Sequence, residues 1–526
     1  MCRCLNRQYF VRDARPLGGC DLVKYKESVS ERKSEVKKLA VSCWLLAVSV
    51  AMATGVRAEV AETSSYDVCV VGGGVSGVCA ALQAARAGAK TVLVEQGFQI
   101  GGNMTTGGVN FPGLFHAWKR QIIAGVGWDL VTNCVAMAGD KLPDFMQDLP
   151  EGNYSWWNQV RVNIPLWIAL TEEALTAAKV EVRYHTCPTS VTWDGTRWTV
   201  GLCAMGEMQS LTAGAVIDAT GNGAVSALAG AERVRDSEDQ QPGGFEYLFD
   251  PGVDIGTLNF GALEYAMTNA VRSRELEIND LCRGVKFFLE QQVSILQNYK
   301  TGPNHGTSLA NYIVGADNST AAKRTDTNMR GRASMLRVYR FLRRQPKLGN
   351  IRPLSVMPEV GVRETYRVTG QYVMTGSDYV DGTVFDDSLC YSYYPIDVHV
   401  QEPEPSRMLK GIKQKQIEEG TFPTVPLRCL QVKGKRNLFV VGRCISTDRE
   451  VNSGVRVQAT CMATGQVAGE AAAYAVKEGR DLWNGMSEND LVALRENLSA
   501  SGAIVPPPPP KKAGMIILLT SAQQAQ

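Results

Sequence analysis

The chain has 526 residues, of which 44% are hydrophobic and 21% are charged, a composition typical of a globular protein of two or three domains. Lys and Arg number 55 and Asp and Glu number 53, and this balance argues against nucleic acid as a partner, which needs a strong basic excess. The 14 cysteines include no C-x-x-C pair and the four histidines include no H-E-x-x-H pair. We therefore expect no zinc site, iron–sulfur cluster or other metal site.

An apolar segment near the N-terminus indicates export. Lys37 and Lys38 precede a mostly apolar stretch from Leu39 to Val56, and Val56-Arg57-Ala58 places small residues where a signal peptidase cleaves. A basic start, an apolar core and an A-x-A-like end are typical of a secretory signal peptide. The alternative is an uncleaved membrane anchor, although the 18 residues of the stretch are barely enough to span a bilayer. We expect a periplasmic or extracellular protein, or else one anchored by this segment.

The folded body begins with a β-α-β unit. Residues 67–71 form an apolar run suited to a buried parallel strand, alanines at 80, 81, 84 and 85 have helical spacing, and 90–95 predict a second strand. The later elements alternate in type after a glycine-rich stretch over 101–139. They are a helix over 165–179, strands at 180–185, 190–193, 198–200 and 213–218, helices near 275–300 and 330–345, a strand ending at 438–442 and a helix over 455–478. Five prolines at 506–510 favour an extended polyproline segment.

The turn after the first strand carries a dinucleotide fingerprint. Gly72, Gly74 and Gly77 form G-x-G-x-x-G between strand and helix, where glycines permit a tight turn, a close approach to a pyrophosphate and close packing of helix on strand. The helix N-terminus offers free N–H groups to the phosphates. Glu95 ends the second strand, and its carboxylate can accept hydrogen bonds from ribose hydroxyls. The alternative is a tight turn without a ligand.

Two further features favour FAD over NAD as the dinucleotide. A second glycine pair, Gly101-Gly102, follows the ribose acid and is succeeded by Asn103, whereas an NAD enzyme would normally continue into an ordinary helix. A late strand ends at Gly442-Arg443 and is followed by an Ala-rich helix. The N-terminus of that helix could face the flavin and stabilise its anionic reduced form.

These segments carry a family resemblance. The chain resembles the bacterial FAD-dependent oxidoreductases of the FAD-oxidored group, relatives of the flavin domain of heterodisulfide reductase. The matching stretches are 66–108, 216–223, 360–399 and 428–479. The resemblance implies a flavoprotein of glutathione-reductase-like type with non-covalent FAD, in contact with Gly72, Gly74, Gly77, Glu95, Gly101, Gly102 and Gly442. Two departures are Asn222, where such proteins usually place an acid, and the missing cysteine motif for iron–sulfur clusters.

The predicted fold is therefore α/β, with a Rossmann-like FAD-binding domain and an inserted substrate domain. The expected segments are an N-terminal extension with signal peptide (1–58), the first part of the FAD-binding domain (66–240), the inserted substrate or cap domain (241–400), the C-terminal part of the FAD-binding domain (401–480) and a Pro-rich tail (481–526). The full set of predicted cofactor-binding residues is Gly72, Gly73, Gly74, Val75, Ser76, Gly77, Glu95, Gly101, Gly102, Asn103, Thr220, Gly221, Gly442 and Arg443.

Four residues are candidates for catalysis. Arg363 could bind a substrate carboxylate and Glu364 could abstract a proton, or the two could belong to a structural salt bridge. His116 and His399 could act as bases or could complete hydrogen-bond networks. Near the proposed flavin-facing helix, Cys444 and Cys461 are expected to be buried structural thiols, and Arg456 to cap the helix or pair with an acid.

The predicted function is that of an FAD-dependent oxidoreductase, which exchanges a hydride between flavin and a small organic substrate and passes electrons to an unidentified acceptor. The alternatives are an exported flavin-binding protein without turnover and an NAD-dependent dehydrogenase. The Asn222 departure motivates the first alternative, and the glycine pair weighs against the second.

Overall fold

The first apolar run of the folded body becomes the central strand of a seven-stranded sheet. The structure is a computed structural model that describes residues 64–148, 158–235, 240–301, 311–399, 413–415 and 417–510. The segment interpreted as a signal peptide, 37–58, lies outside these residues. All described residues belong to one compact unit.

The main sheet is parallel at its centre and antiparallel at one side. Its strands are β1 (Ser64–Val71), β2 (Thr91–Val94), β5 (Glu181–Arg183), β6 (Thr186–Trp193), β7 (Trp198–Ala204), β8 (Glu207–Asp218) and β17 (Leu438–Val440). The order is β5-β2-β1-β8-β7-β6, and β17 pairs parallel with the end of β8. Because β1, β2, β8 and β17 all run in the same direction, their carboxyl ends meet at one edge, the edge at which α/β proteins bind ligands.

The other strands form two-stranded sheets. They are β3 (His116–Ala117), β4 (Arg120–Gln121), β9 (Arg233–Val234), β10 (Tyr247–Asp250), β11 (Arg352–Val356), β12 (Arg367–Val368), β13 (Ser388–Tyr391), β14 (Ile396–Val398), β15 (Lys413–Lys415) and β16 (Thr424–Pro426). The pairs are β3 with β4, β9 with β12, β10 with β11, β13 with β16 and β14 with β15.

The helices cover the main sheet and form most of the region inserted after it. They are α1 (Val75–Arg86), α2 (Val126–Met137), α3 (Ile164–Ala177), α4 (Ala224–Leu228), α5 (Phe260–Arg272), α6 (Gly284–Thr301), α7 (Ala321–Arg343), α8 (Gly376–Val380), α9 (Arg449–Val455), α10 (Gln458–Lys477) and α11 (Glu488–Ala500). Short 3-10 turns occur at Gly102–Met104, Ile255–Thr257, Leu427–Cys429 and Gly442–Cys444. Among the described residues, no helix is both long enough and apolar enough to cross a membrane.

Alternating side chains of β1 supply two cores on the two faces of the sheet. Val68 and Val70 pack into the core shared with α1 and α10, whereas Cys69 and Val71 pack into the core on the opposite face. Both faces of β1 are therefore apolar, as expected for a buried parallel strand. A third core is formed by residues between Phe245 and Val362, including those of α5, α6 and α7.

Two glycines bring α1 and α10 into unusually close contact. A Cβ added to Gly465 would lie 2.1 Å from the Ser76 carbonyl oxygen, and one added to Gly469 would lie 2.3 Å from that of Ala80. Each glycine therefore allows backbone-to-backbone approach that a larger residue would prevent. A buried polar network beside this contact, in which Gln83 donates to Glu470 at 2.7 Å, joins the same two helices.

The α/β class and the parallel core are confirmed, and each element predicted in the sequence occurs within a few residues of its expected place. Three features were not predicted. The glycine-rich stretch contains α2, the predicted helix over 455–478 is divided into α9 and α10, and 488–500 of the expected tail form α11. Leu494 and Leu498 bury α11 in the main core. The domain boundaries stay a prediction, and residues such as Leu389 and Ile396 of the expected insert pack in the main core as well.

Candidate active site

The turn between β1 and α1 has the geometry that the fingerprint predicts. Gly72 has φ +109°, and a Cβ on it would lie 2.4 Å from the Ala219 carbonyl oxygen, so only glycine fits. A Cβ on Gly77 would lie 1.9 Å from the Gly72 carbonyl oxygen, which explains the third glycine of the motif. Gly74 is different, because a Cβ there would meet no atom within 4 Å. It borders open space, and α1 begins beside it without a side-chain cap.

Glu95 is held at the end of β2 by backbone groups. Its carboxylate accepts hydrogen bonds from the N–H of Gly73 at 2.5 Å and from that of Gly97 at 2.6 Å. Burial raises the pKa of Glu95, although these two N–H groups act to lower it. Each carboxylate oxygen keeps a further lone pair that a ribose hydroxyl can use.

A cavity of about 610 Å³ opens at the carboxyl ends of β1, β2, β8 and β17, a size common for small-molecule and cofactor sites. Of the predicted cofactor-binding residues, all except Gly73 and Gly77 line it. Those two act from behind the wall, Gly73 through Glu95 and Gly77 through the packing of the turn.

The turn after β8 is braced from within. Thr220 donates its hydroxyl hydrogen bond to Asp218 at 2.6 Å, and its hydroxyl oxygen accepts from the N–H of Ala224. Arg443 donates to the carbonyl oxygens of Gly221 and Val362, each at 2.5 Å. The side chains of Thr220 and Arg443 thus fix the wall of the cavity as well as lining it.

The polar groups of the wall fit FAD. Four buried atoms of cavity-lining residues lack a hydrogen-bond partner within the described part of the chain. They are Asn222 Oδ1, Asn318 Oδ1, Gln458 Oε1 and Arg456 Nε. Buried polar groups are normally paired, and the hydroxyl groups and ring edges of FAD would supply partners. Helix α10 also begins in the cavity wall without a side-chain cap, as expected for a helix N-terminus that faces the flavin.

The far end of the cavity is lined by a cluster of Tyr312, Arg363, Asp397, His399 and Arg456. His399 Nε2 lies 3.0 Å from Asp397 Oδ2, and the Tyr312 hydroxyl lies 3.3 Å from His399 Nδ1. The guanidinium carbon of Arg363 is 5.5 Å from the centre of the Tyr312 ring. Arg456 donates to the Asp397 carbonyl oxygen at 3.3 Å.

The charges of this cluster shift its titrations. Burial and the neighbouring Arg363 lower the pKa of His399 to about 4 against the effect of its hydrogen bond to Asp397. Burial acts to raise the pKa of Asp397, but the hydrogen bond with His399 and the charges of Arg456 and Arg363 bring it to about 2. Near neutral pH, Asp397 is therefore ionised and His399 is neutral. Its Nε2 carries the proton donated to Asp397, and its Nδ1 accepts from Tyr312.

Two of the four predicted catalytic residues do not line the cavity. Glu364 is 4% exposed and accepts hydrogen bonds from Arg449 at 2.8 Å and from the Gln241 N–H at 2.7 Å. These partners lower its pKa despite burial. His116 stacks on Phe145 with ring centres 3.7 Å apart, and burial lowers its pKa to about 4. Arg363 and His399, in contrast, are brought together at the cavity.

The two cysteines near α10 are buried thiols. Cys444 is fully buried and Cys461 is 5% exposed, and burial raises the pKa of each to about 12. Cys461 borders the cavity, where its thiol donates to the Arg456 carbonyl oxygen at 3.2 Å.

Sequence reasoning missed Tyr312 and Asp397 as site residues. Asp397 and His399 are two positions apart, which places them on the same side of an extended strand, and this spacing could have paired them. Tyr312 lies 87 residues from His399, and nothing in its local sequence marks it.

Comparison with known proteins identifies the fold family. A family model described as FAD dependent oxidoreductase matches residues 67–496. Two curated relatives, each the B chain component of an anaerobic glycerol-3-phosphate dehydrogenase from a strain of Vibrio vulnificus, are 61% identical over 33 residues. That segment is 6% of this chain and 8% of each relative, so the match covers only a small part of those proteins.

Solved structures are similar at low identity. A geranylgeranyl bacteriochlorophyll reductase-like protein from Thermoplasma acidophilum is 13% identical with a TM-score of 0.38, over 84% of this chain and 88% of that one. Thioredoxin reductase from Lactococcus lactis is 20% identical with a TM-score of 0.18, over 30% of this chain and 35% of that one. The relation to heterodisulfide reductase stays a prediction.

Proposed function

From the premise that this chain belongs to the FAD dependent oxidoreductase family, we propose that it binds FAD non-covalently and exchanges a hydride with a small organic substrate. As a member of that family, the protein is an FAD-dependent oxidoreductase with FAD as its cofactor. The observation that carries the proposal is one continuous cavity, which joins the glycine turn after β1 to the cluster around Arg363 and His399. Cofactor and substrate would share this space.

The chain's own groups would hold and orient the cofactor. The first turn of α1 would bind the pyrophosphate, Glu95 would bind ribose hydroxyls, and the uncapped N-terminus of α10 would favour negative charge on the ring edge near it. When bound, FAD supplies the two-electron chemistry. The substrate would lie between that cofactor and the far-end cluster.

The absorbance spectrum of the protein expressed from Glu59 tests cofactor binding. Maxima near ~375 and ~450 nm are expected, and acid denaturation should release the chromophore with the mass of FAD. A colourless protein that stays colourless after incubation with FAD would overturn the proposal, and a chromophore that stays on the precipitated chain would overturn non-covalent binding.

Hydride transfer is tested by reconstitution with 5-deaza-FAD, an analogue that accepts a hydride but does not support single-electron chemistry. The expected result is direct transfer of deuterium from a labelled substrate to the analogue. Turnover with FAD but not with the analogue would show that electrons move singly.

We also propose that the protein is exported, on the strength of the 37–58 sequence pattern. N-terminal sequencing of the protein from its natural host should then begin at Glu59. Recovery of a chain that keeps residues 37–58 in the membrane fraction would indicate the anchor instead.

A further inference from the structure

We propose that the substrate is a small 2-hydroxy carboxylate, or its 2-oxo counterpart, whose carboxylate is bound by Arg363 and Arg456 and whose hydroxyl proton is exchanged with Tyr312 through His399 and Asp397. The inference rests on the proposed function, because it requires the flavin to lie beside this cluster.

The two arginines have hydrogen-bonding capacity to spare. Within the described residues, Arg363 makes one hydrogen bond, from its Nη1 to the Pro242 carbonyl oxygen. Arg456 has a buried Nε without a partner there, and its Nη2 makes long contacts of 3.3 Å and 3.5 Å. A guanidinium presents five N–H donors in a fixed fork that suits a carboxylate. Both side chains therefore have donors available for a planar anion.

The charge of the cluster favours a monoanion. Arg363 and Arg456 contribute two positive charges, Asp397 contributes one negative charge, and His399 is neutral, so the enclosed end carries about one net positive charge. Arg161 and Glu246 lie behind this wall with opposite charges, and Arg283 is exposed at the cavity mouth. A carboxylate balances one charge, whereas a phosphate ester would bring about −1.5 to −2.

Tyr312 lies close to the proposed carboxylate site. Its ring faces the Arg363 guanidinium at 5.5 Å, and its hydroxyl donates to His399 Nδ1 at 3.3 Å. The Tyr312 oxygen keeps lone pairs that can accept a proton from a substrate hydroxyl. Because the anion site and this oxygen are adjacent, the reacting hydroxyl should be on the carbon next to the carboxylate.

The proposed step balances. In oxidation, the substrate C–H bond breaks and its electron pair leaves with the hydrogen as hydride to the flavin, which is reduced. The O–H bond breaks, its proton passes to Tyr312, and the proton of Tyr312 passes to His399 Nδ1. The carbon–oxygen double bond forms, and Asp397 stabilises the resulting imidazolium. Reduction of the 2-oxo acid follows the reverse path.

Substrate binding would prepare His399 for its role. Burial lowers the pKa of the free imidazole, and the positive charge of Arg363 lowers it further. A carboxylate that neutralises the arginines removes that repulsion, so the pKa of His399 should rise on binding. The other titratable groups facing this cluster are Tyr394, Cys282 and the Arg283 guanidinium.

The carboxylate site is tested with propionate, a monoanion without a hydroxyl, on the FAD-loaded protein. Propionate should change the flavin absorbance and its neutral isostere propionamide should not. Losing one charged hydrogen-bond donor set should raise the propionate Kd of Arg363→Gln by about 10- to 100-fold. Arg340→Gln, at an exposed position of α7, is the matched control and should bind as the wild type does. Equal binding of propionamide, tighter binding of inorganic phosphate, or an unchanged Kd in Arg363→Gln would overturn the anion site.

Proton exchange is tested by anaerobic reduction of the flavin with lactate and glycolate, and by oxidation of the photoreduced protein with pyruvate and glyoxylate. Tyr312→Phe should slow the transfer step by about 10²- to 10⁴-fold and leave the propionate Kd unchanged. Tyr265→Phe, at a position 68% exposed, is the control. His399→Gln should abolish the proton uptake that accompanies propionate binding near pH 5.

The outcomes separate the two proposals. A protein that holds no flavin contradicts the proposed function. A protein that holds reducible flavin but exchanges electrons with none of the four acids, or loses no rate in Tyr312→Phe, contradicts only the substrate assignment.

Discussion

Gly74 offers a substitution that should weaken cofactor binding without damaging the fold. Its backbone has φ −64° and ψ 172°, which an alanine adopts freely, and a Cβ there would meet no protein atom within 4 Å. The methyl group of Gly74→Ala would therefore project into the open space beside the N-terminus of α1. That space is where we expect the pyrophosphate.

The size of the effect follows from the hydrogen bonds that the methyl group displaces. A hydrogen bond to a charged group is worth about 1.5–3 kcal/mol, so loss of one bond to the pyrophosphate should raise the FAD Kd by about 10- to 150-fold. The apoprotein should lose about 1 kcal/mol or less, because alanine is only slightly worse than glycine before a first helical turn.

The assay is titration of apoprotein with FAD, followed by flavin fluorescence, with the Tm of the apoprotein measured in parallel. Gly349→Ala is the matched control, because a Cβ at Gly349 also meets nothing within 4 Å and Gly349 lies outside the cavity. Gly77→Ala should instead lower the Tm of the apoprotein, since its Cβ would lie 1.9 Å from the Gly72 oxygen. Wild-type FAD affinity in Gly74→Ala would refute the placement of the pyrophosphate.

Three other predictions concern stability and reactivity. Gly469→Ala should lower the Tm of the apoprotein through an overpacking cost of about 1–3 kcal/mol, because its Cβ would lie 2.3 Å from the Ala80 oxygen; an unchanged Tm would contradict the close helix contact. Burial raises and the hydrogen-bonded partners lower the pKa of Asp317, which ends at about 2. Its stabilising contribution is therefore present above the unfolded pKa of about 3.9 and lost as pH falls through 2, so the Tm difference between wild type and Asp317→Asn should narrow over that window. Cys461, whose pKa burial raises to about 12, should resist iodoacetamide in the folded protein at neutral pH, and rapid labelling seen by mass spectrometry would contradict its burial.

The parts of the fold that the sequence predicts are those specified by contiguous residues. The run at 67–71, the glycines after it and the strand at 90–95 occur within a single β-α-β unit, so periodicity and turn chemistry suffice to place them. Most of the predicted cofactor-binding residues line the cavity for the same reason, because each lies directly after a strand whose carboxyl end is at that edge.

Helix α11 shows how a local signal can be overlooked beside a stronger one. Ser487 and Asp490 form a capping box at its start, and Leu494 and Leu498 have the i, i+4 spacing of a buried helical face. The proline run at 506–510 marks a chain that leaves the fold, and its composition hid the helix before it. The signal was present in the sequence, and the boundary was placed too early.

The far-end cluster could not be assembled from sequence, because its members come from distant segments. The dipeptide Arg363-Glu364 illustrates the limit. Arg363 faces the cavity, whereas Glu364 faces Arg449 and Gln241 on the other side. Adjacent residues of an extended segment point in opposite directions, so such a pair can rarely supply both an anion-binding group and a base to one site.

Glu364 nevertheless bears on the site through Gln241. The carboxylate accepts both the backbone N–H and the side-chain amide of Gln241, at 2.7 Å and 3.0 Å. These two bonds orient the Gln241 amide so that its oxygen accepts from the His399 N–H at 3.1 Å and from Arg456 at 3.5 Å. A buried carboxylate that is fully paired holds its partners in one arrangement. The sequence thus identified a residue of the site's support rather than of its chemistry, and only the three-dimensional contacts distinguish the two roles.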